Sequence, residues 1–194
     1  MLIEITPEGY DVDLDLLYAT PDNITGRPIY ARAAGYLHMD AAALLAHAVA
    51  LARPLGLRLR VFDAFRPAEA QWTLWAACPD PDFIADPRRG SPHSMGAAVD
   101  LTLVDAASGT PLDMGTGFDD MRHESHHGNQ DIAPEAQRNR HLLLGIMTAA
   151  GWDFYRNEWW HYQLVQPRGR YPVLSDAAAG TRMMPETAVP EAGA

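Results

Sequence analysis

The chain has 194 residues, 47% apolar and 21% charged, with a net charge of −10 and a single cysteine, Cys78. That length suits one compact domain whose core stands without disulfides, and a lone cysteine excludes an internal one. The acidic balance argues against nucleic acid or an anionic membrane as a general partner, and all 15 basic residues are arginine.

In chain order, the first stretch, MLIEITPEGYDVDLDLLY, carries acids where an export signal has a basic start and a long apolar run. No segment approaches the roughly 20 apolar residues of a membrane span, so the expectation is a cytoplasmic protein. TPDNITGRPIY, with Pro21, Asp22, Asn23, Gly26 and Pro28, reads as a loop running into an extended piece. Asp40 is placed to cap a helix from about Ala41 to Arg53, in which Leu44, Ala48 and Leu51 recur at helical spacing. LRLRVFDAF alternates at Leu57, Leu59 and Val61, the pattern of a half-buried strand. Pro67 suits the first position of the helix PAEAQWTLWAAC, with Cys78 as a small buried hydrophobe.

Residues 79–92, punctuated by Pro79, Pro81, Pro87 and Pro92, read as loop, and AVDLTLV as a second strand. Residues 105–133 show little periodicity and predict a long ordered loop, a feature that is often functional. Pro134 opens a helix to about Ala150, which Gly151 ends, and WWHYQLV is a third strand. From Ser175 the chain turns Ala-, Pro- and Gly-rich, so a single domain over 1–174 and a disordered tail over 175–194 are expected. The fold class is α+β, a small, mostly antiparallel sheet with helices packed on it.

The chemistry concentrates in two stretches. In SPHSMGAAVD, His93 precedes Asp100 by seven residues. On a continuous helix the two would stand about 10 Å apart along the axis. On one straight strand they would point to opposite faces. Zinc holds its ligands at about 2.0–2.2 Å, so both reach one ion only if the backbone bends between them. Gly96 permits the bend, and Ala97 and Ala98 let the backbone pass close to the site. On this stretch alone, a loop histidine and a strand-end aspartate are the plainer reading.

The second stretch, NEWWHYQLV, changes the balance. A bend near Trp159 turns Glu158 and His161 toward one point. His161 then makes a third ligand, leaving an open fourth position for water, with Glu158 beside it as a base. Trp159, Trp160 and Tyr162 read first as core. His123, His126 and His127 in MRHESHHGNQ are a rival metal cluster.

SPHSMGAAVD followed by EWWH resembles the Ser-x-His-x-x-Gly-x-Ala-x-Asp and Glu-x-Trp-His pair of the zinc D-alanyl-D-alanine dipeptidases. These belong to the wider group of D,D-peptidases with a hedgehog-like fold. LLYATPDNITGRPIY, VFDAFRP and MGTGFD are similar to further blocks of that family, in the same order, so the likeness covers most of residues 10–165. It implies one Zn2+ per chain held by His93, Asp100 and His161, and Glu158 as general base. It implies Arg66 as the cation for the tetrahedral intermediate, Asp119 and Tyr18 as holders of the substrate's free amine, and Ser91 near its carboxylate. Ile24 departs from the family, where a Phe is common.

Those parts suit amide hydrolysis: an acidified water, a base that returns its proton, and a fixed cation for the oxyanion. The expected partner is a small dipeptide, and nothing in the sequence bears on oligomeric state. A D,D-carboxypeptidase trimming peptidoglycan stems would use the same metal motif but lack the Asp119 block. A binding module that has lost catalysis would have no use for both Glu158 and Arg66.

Overall fold

The computed structural model describes residues 1–186 and contains two sheets. The smaller pairs β1 (Leu2–Ile5) with β3 (Gly35–His38), antiparallel. Between them lie a single helical turn, α1 (Pro7–Tyr10), and the short strand β2 (Asp13–Leu14). The larger sheet has five strands in the order β2-β4-β5-β7-β6, with β4 at Leu57–Asp63, β5 at Ala98–Asp105, β6 at Asp153–Phe154 and β7 at His161–Gln163. Only the β2–β4 pair is parallel. The α+β class with a mostly antiparallel sheet holds; the short strands β1, β2, β3 and β6 carry too little alternation to be read from sequence.

One face of this sheet is covered by α2 (Met39–Ala52) and α4 (Pro134–Ala150). Leu45, Ala48 and Val49 of α2 and Leu143, Ile146 and Met147 of α4 meet Leu59, Val61, Val99, Leu101 and Leu103 in the main core. α4 begins at Pro134 and ends where Gly151 turns left-handed (φ 106), both as expected. α2 differs at its start. His38 is the cap, its Nδ1 accepting from the Asp40 N–H, and Asp40 lies in the first turn, where its charge favours the helix dipole. α3 (Ala68–Ala77) starts one residue after Pro67, which is itself the extended cap, and Cys78 beyond its end is half-buried against Met121 rather than fully enclosed.

A second apolar cluster lies beside α3 and joins Tyr18, Tyr30, Tyr36, Phe65 and Leu74 to Met183 and Met184. The tail expected from Ser175 therefore does not start there. Met183 is fully buried, its N–H donates to Asp176 and its carbonyl accepts from Ala31. Thr181 N–H donates to the Tyr36 phenol oxygen. Two methionines inside an Ala-rich stretch supply the burial that its composition hides. Residues 187–194 of the expected tail lie outside the described residues. Among the described residues no helix is long and apolar enough to cross a membrane.

The bend between His93 and Asp100 is built as the sequence requires. His93–Met95 form one 3-10 turn, Gly96 takes φ 66, and β5 starts at Ala98. A Cβ on Gly96 would stand 2.6 Å from Leu2 Cδ2 and 2.9 Å from the His38 backbone nitrogen, so the small sheet presses directly on this turn. Gly96→Ala is expected to cost about 2–4 kcal/mol, left-handed strain plus overpacking, as a lowered urea midpoint at unchanged slope.

Candidate active site

Asp100 of β5 is the pivot. On one side it pairs in register with His161 of β7, on the other with Asp63 of β4. The second pairing depends on a β-bulge. Leu59 faces Leu103 and Val61 faces Leu101, but the register then skips Phe62 so that Asp63 stands opposite Asp100. Without that slip Asp63 would follow Leu59 and Val61 onto the core face. Three adjacent strands thus present Asp63, Asp100 and His161 in one row. The turn before β5 adds His93.

His93 Nε2, His161 Nδ1 and Asp100 Oδ1 form a near-equilateral triangle with edges of 3.1, 3.0 and 3.2 Å. Ala64 O lies 2.7 Å from His93 Nδ1, and Gln163 Oε1 lies 3.2 Å from His161 Nε2. Each imidazole therefore places its N–H on those oxygens and turns its bare nitrogen to the triangle. Burial opposes ionisation of Asp100, but protons on the histidine nitrogens that face it outweigh burial and hold its carboxyl well below the usual range, and a metal ion takes the place of those protons. Two lone pairs and a carboxylate that face each other at this distance repel until a cation sits among them. Ligand atoms of a tetrahedral ion with bonds of about 2.0–2.1 Å lie about 3.3 Å apart, so the donor set fits a small divalent ion. Among the described residues this is the one such cluster of three. His123 and His126 stack on each other with centroids 4.4 Å apart, and His127 packs against Phe154 instead.

Glu158 is buried beside the triangle, its Oε2 3.9 Å from His161 Nδ1. The predicted bend is present as a turn at Trp159 and Trp160, closed by the His161 N–H donating to the Glu158 carbonyl. Burial, and then the charges of Asp100 and Asp119, push the Glu158 carboxyl well above its ordinary value. Arg66 is buried on the other side. Its Nε donates to Asp63 at 2.8 Å, Nη1 to Gln71 at 3.1 Å and Nη2 to Asp100 at 3.4 Å, and its plane lies over the Tyr18 ring at 4.7 Å. Tyr30 also donates to Asp63, at 2.8 Å.

Asp119 takes φ 56, a rare conformation for a residue with a side chain. It accepts from the Tyr18 phenol at 3.1 Å and from the Ile24 N–H at 3.2 Å. Tyr18 thus orients the acid, and burial keeps its phenol protonated to do so. The family departure at Ile24 falls on a residue whose backbone makes the contact. Ser91 is buried, with its Oγ accepting from the His93 N–H. All eight residues singled out from the sequence line one cleft of about 280 Å3, near the lower end of the usual range for small ligands.

The long loop that carries Asp119 is ordered from below. Arg140 of α4 donates to the carbonyls of Met114, Glu124 and His126. Trp159 Nε1 donates to Thr116 Oγ1 at 2.8 Å, so the EWWH stretch holds the GTGFD stretch in place. The sequence reading did not single out Asp63, Gln71, Gln163 or Arg140. Only Asp63 had a signal, an acid three residues before Arg66 in VFDAFRP.

The M15 peptidase family model described as D-ala-D-ala dipeptidase matches residues 2–176. The D-alanyl-D-alanine dipeptidase of Escherichia coli K12 is 48% identical over 175 residues, 90% of each chain. That of Enterococcus faecalis is 34% identical over 80% of this chain and 87% of its own, and that of Streptomyces coelicolor 35% over 78% and 85%.

Two outcomes follow from the site. Zinc added to metal-free protein at about 100 times its dissociation constant should stabilise it by about 2.7 kcal/mol in thermal unfolding, a gain that Asp100→Asn should largely remove. Burial raises Asp119 to about 6. Between its ordinary value and about 6 the native state therefore binds the extra proton, and stability falls as pH rises through that window. In metal-free protein Asp119→Asn should make this fall shallower in urea unfolding from pH 4 to pH 6, leaving the part that the raised Glu158 carboxyl contributes, with no further difference in slope above it.

Proposed function

The chain belongs to the D-ala-D-ala dipeptidase family of M15 peptidases, and on that premise we propose that it hydrolyses D-Ala-D-Ala to two D-alanines using one zinc ion. The observation that carries the reading is the buried acceptor triangle flanked by Glu158 on one side and Arg66 on the other. His93 Nε2, Asp100 Oδ1 and His161 Nδ1 would hold the ion. When bound, zinc supplies Lewis acidity, which acidifies a water and polarises the scissile carbonyl.

The chain's own groups do the rest. Glu158 takes a proton from the attacking water and delivers it to the departing amine. Its raised carboxyl pKa favours holding that proton between the two steps. Arg66 keeps a full positive charge in a dry site, and its place beside Asp100 brings that charge to the developing oxyanion. Asp63 and Gln71 fix its plane, so no reorganisation is needed during reaction.

Asp119, aimed by Tyr18 and Ile24, pairs with the substrate ammonium. Ser91 offers a neutral hydrogen bond toward the carboxylate end. The half-buried Asp119 favours a dipeptidase over a D,D-carboxypeptidase, because an acylated nitrogen would leave that carboxylate unpaired. A small dipeptide as sole partner and a cytoplasmic setting belong to the same proposal.

The test is D-alanine release from D-Ala-D-Ala and from N-acetyl-D-Ala-D-Ala, with and without chelator. Cleavage of the free dipeptide alone, lost with chelator and restored by zinc, is the expected result. Cleavage of the blocked substrate instead would assign the carboxypeptidase reaction. Glu158→Gln should lower kcat by about 10²–10⁴ while zinc content per chain stays at one.

A further inference from the structure

The acids and arginines of the cleft do not all pair within the protein. Arg66 is committed to Asp63 and Asp100, and the nearby Asp86 is committed to Arg88, whose guanidinium it accepts from at 2.7–3.1 Å. Arg89 and Arg168 line the same cleft, and neither has an acidic partner among the described residues. Both are exposed, and in a chain of net charge −10, with acids to spare, two guanidiniums that line a ligand cleft without a carboxylate partner leave their charge available to an anion.

Arg168 is anchored all the same. Its Nε donates to the Gly90 carbonyl at 3.0 Å, and its two terminal nitrogens have no protein partner among the described residues. Gly90 is itself fixed. It takes φ +76, and a Cβ there would stand 2.8 Å from Val173 and 3.0 Å from Met95. The anchor therefore lies on the rigid turn between Arg89 and Ser91, three residues before His93 enters the triangle. Burial, and then the charge of Arg89, weaken the hold of Arg168 on its proton, as expected of two close cations without a counter-ion. Asp119 is held by Tyr18 and Ile24, whereas Arg168 is held by Gly90, next to Ser91, so the two charges reach the cleft from different segments.

We infer that Arg89 and Arg168 bind the free carboxylate of the substrate, an assignment that rests on the dipeptidase reading above. A dipeptide is a zwitterion with its charges on opposite sides of the scissile bond. With its ammonium on Asp119 and its carbonyl at the triangle, its carboxylate points to the turn that carries Ser91. Guanidinium N–H groups match that carboxylate in geometry and charge. Ser91 supplies direction and the arginines supply charge.

The test is steady-state kinetics of the zinc-loaded full chain on D-Ala-D-Ala and on its C-terminal amide. Arg168→Gln and Arg89→Gln should each raise KM for the free acid about tenfold or more, with kcat within about threefold of wild type. Turnover of the amide should not change, and Arg168→Lys should recover part of the loss. Equal losses on acid and amide, or an unchanged KM for the acid, would overturn the assignment. If the wild type cleaves neither compound, the dipeptidase reading fails separately. Calorimetric binding of both compounds to Glu158→Gln then decides the arginines: a preference for the acid that R168Q and R89Q abolish sustains them, and equal affinity for both compounds removes them.

Discussion

His93 Nε2, His161 Nδ1 and Asp100 Oδ1 sit 3.0–3.2 Å apart inside the protein, each with its lone pairs turned inward. Such a set is unfavourable unless positive charge is delivered to its centre, and much of the surrounding structure maintains it. The carbonyl of Ala64 and the amide oxygen of Gln163 occupy the outer ring nitrogens and so prevent the imidazoles from solving the problem by turning over. The main core on one face of the sheet and the tyrosine-rich cluster on the other keep water from diluting the charges. Affinity for a cation is in this sense stored as repulsion among residues that packing holds together.

The same packing separates the tasks of the cleft. Strands β4, β5 and β7 carry the groups that must not move: Asp63, Asp100 and His161. Tyr18, Asp119 and Ser91 reach the same cleft from outside the strands, and the segments that carry Asp119 and Ser91 are tied down by buried partners. Arg140 and Trp159 hold the Asp119 loop, and the Gly96 turn pressed against β1 and β3 holds the Ser91–His93 segment. Phe118, next to Asp119, packs against both apolar clusters, so Asp119 is seated where the two cores meet.

Much of this was legible before the structure. Residue types and spacing at His93, Gly96, Asp100, Glu158 and His161 demanded two chain bends, and both are present. Proline and glycine punctuation marked α4 to the residue. What was not legible has physical reasons. Strands of two to four residues such as β2 and β6 are stabilised by neighbours rather than by their own alternation. The ordering of residues 175–186 depends on Met183 and Met184 entering a core made mostly of residues distant in the chain, Tyr18 to Ile84. Arg140 reads as an exposed helical charge, because the carbonyls it satisfies belong to a loop with no pattern of its own.

The bulge at Phe62 supplies phase, and it lets one short strand serve two faces. Leu59 and Val61 are bound to the core face by alternation, and a regular ladder through Phe62 would set that ring opposite Asp100 and send Asp63 after them among the apolar side chains. The one extra residue resets the alternation, so β4 fills the core along most of its length and delivers an acid to the opposite face only at its end. The same seven residues in an unbulged strand would bury a carboxylate in the core and leave the Arg66 guanidinium without its 2.8 Å partner.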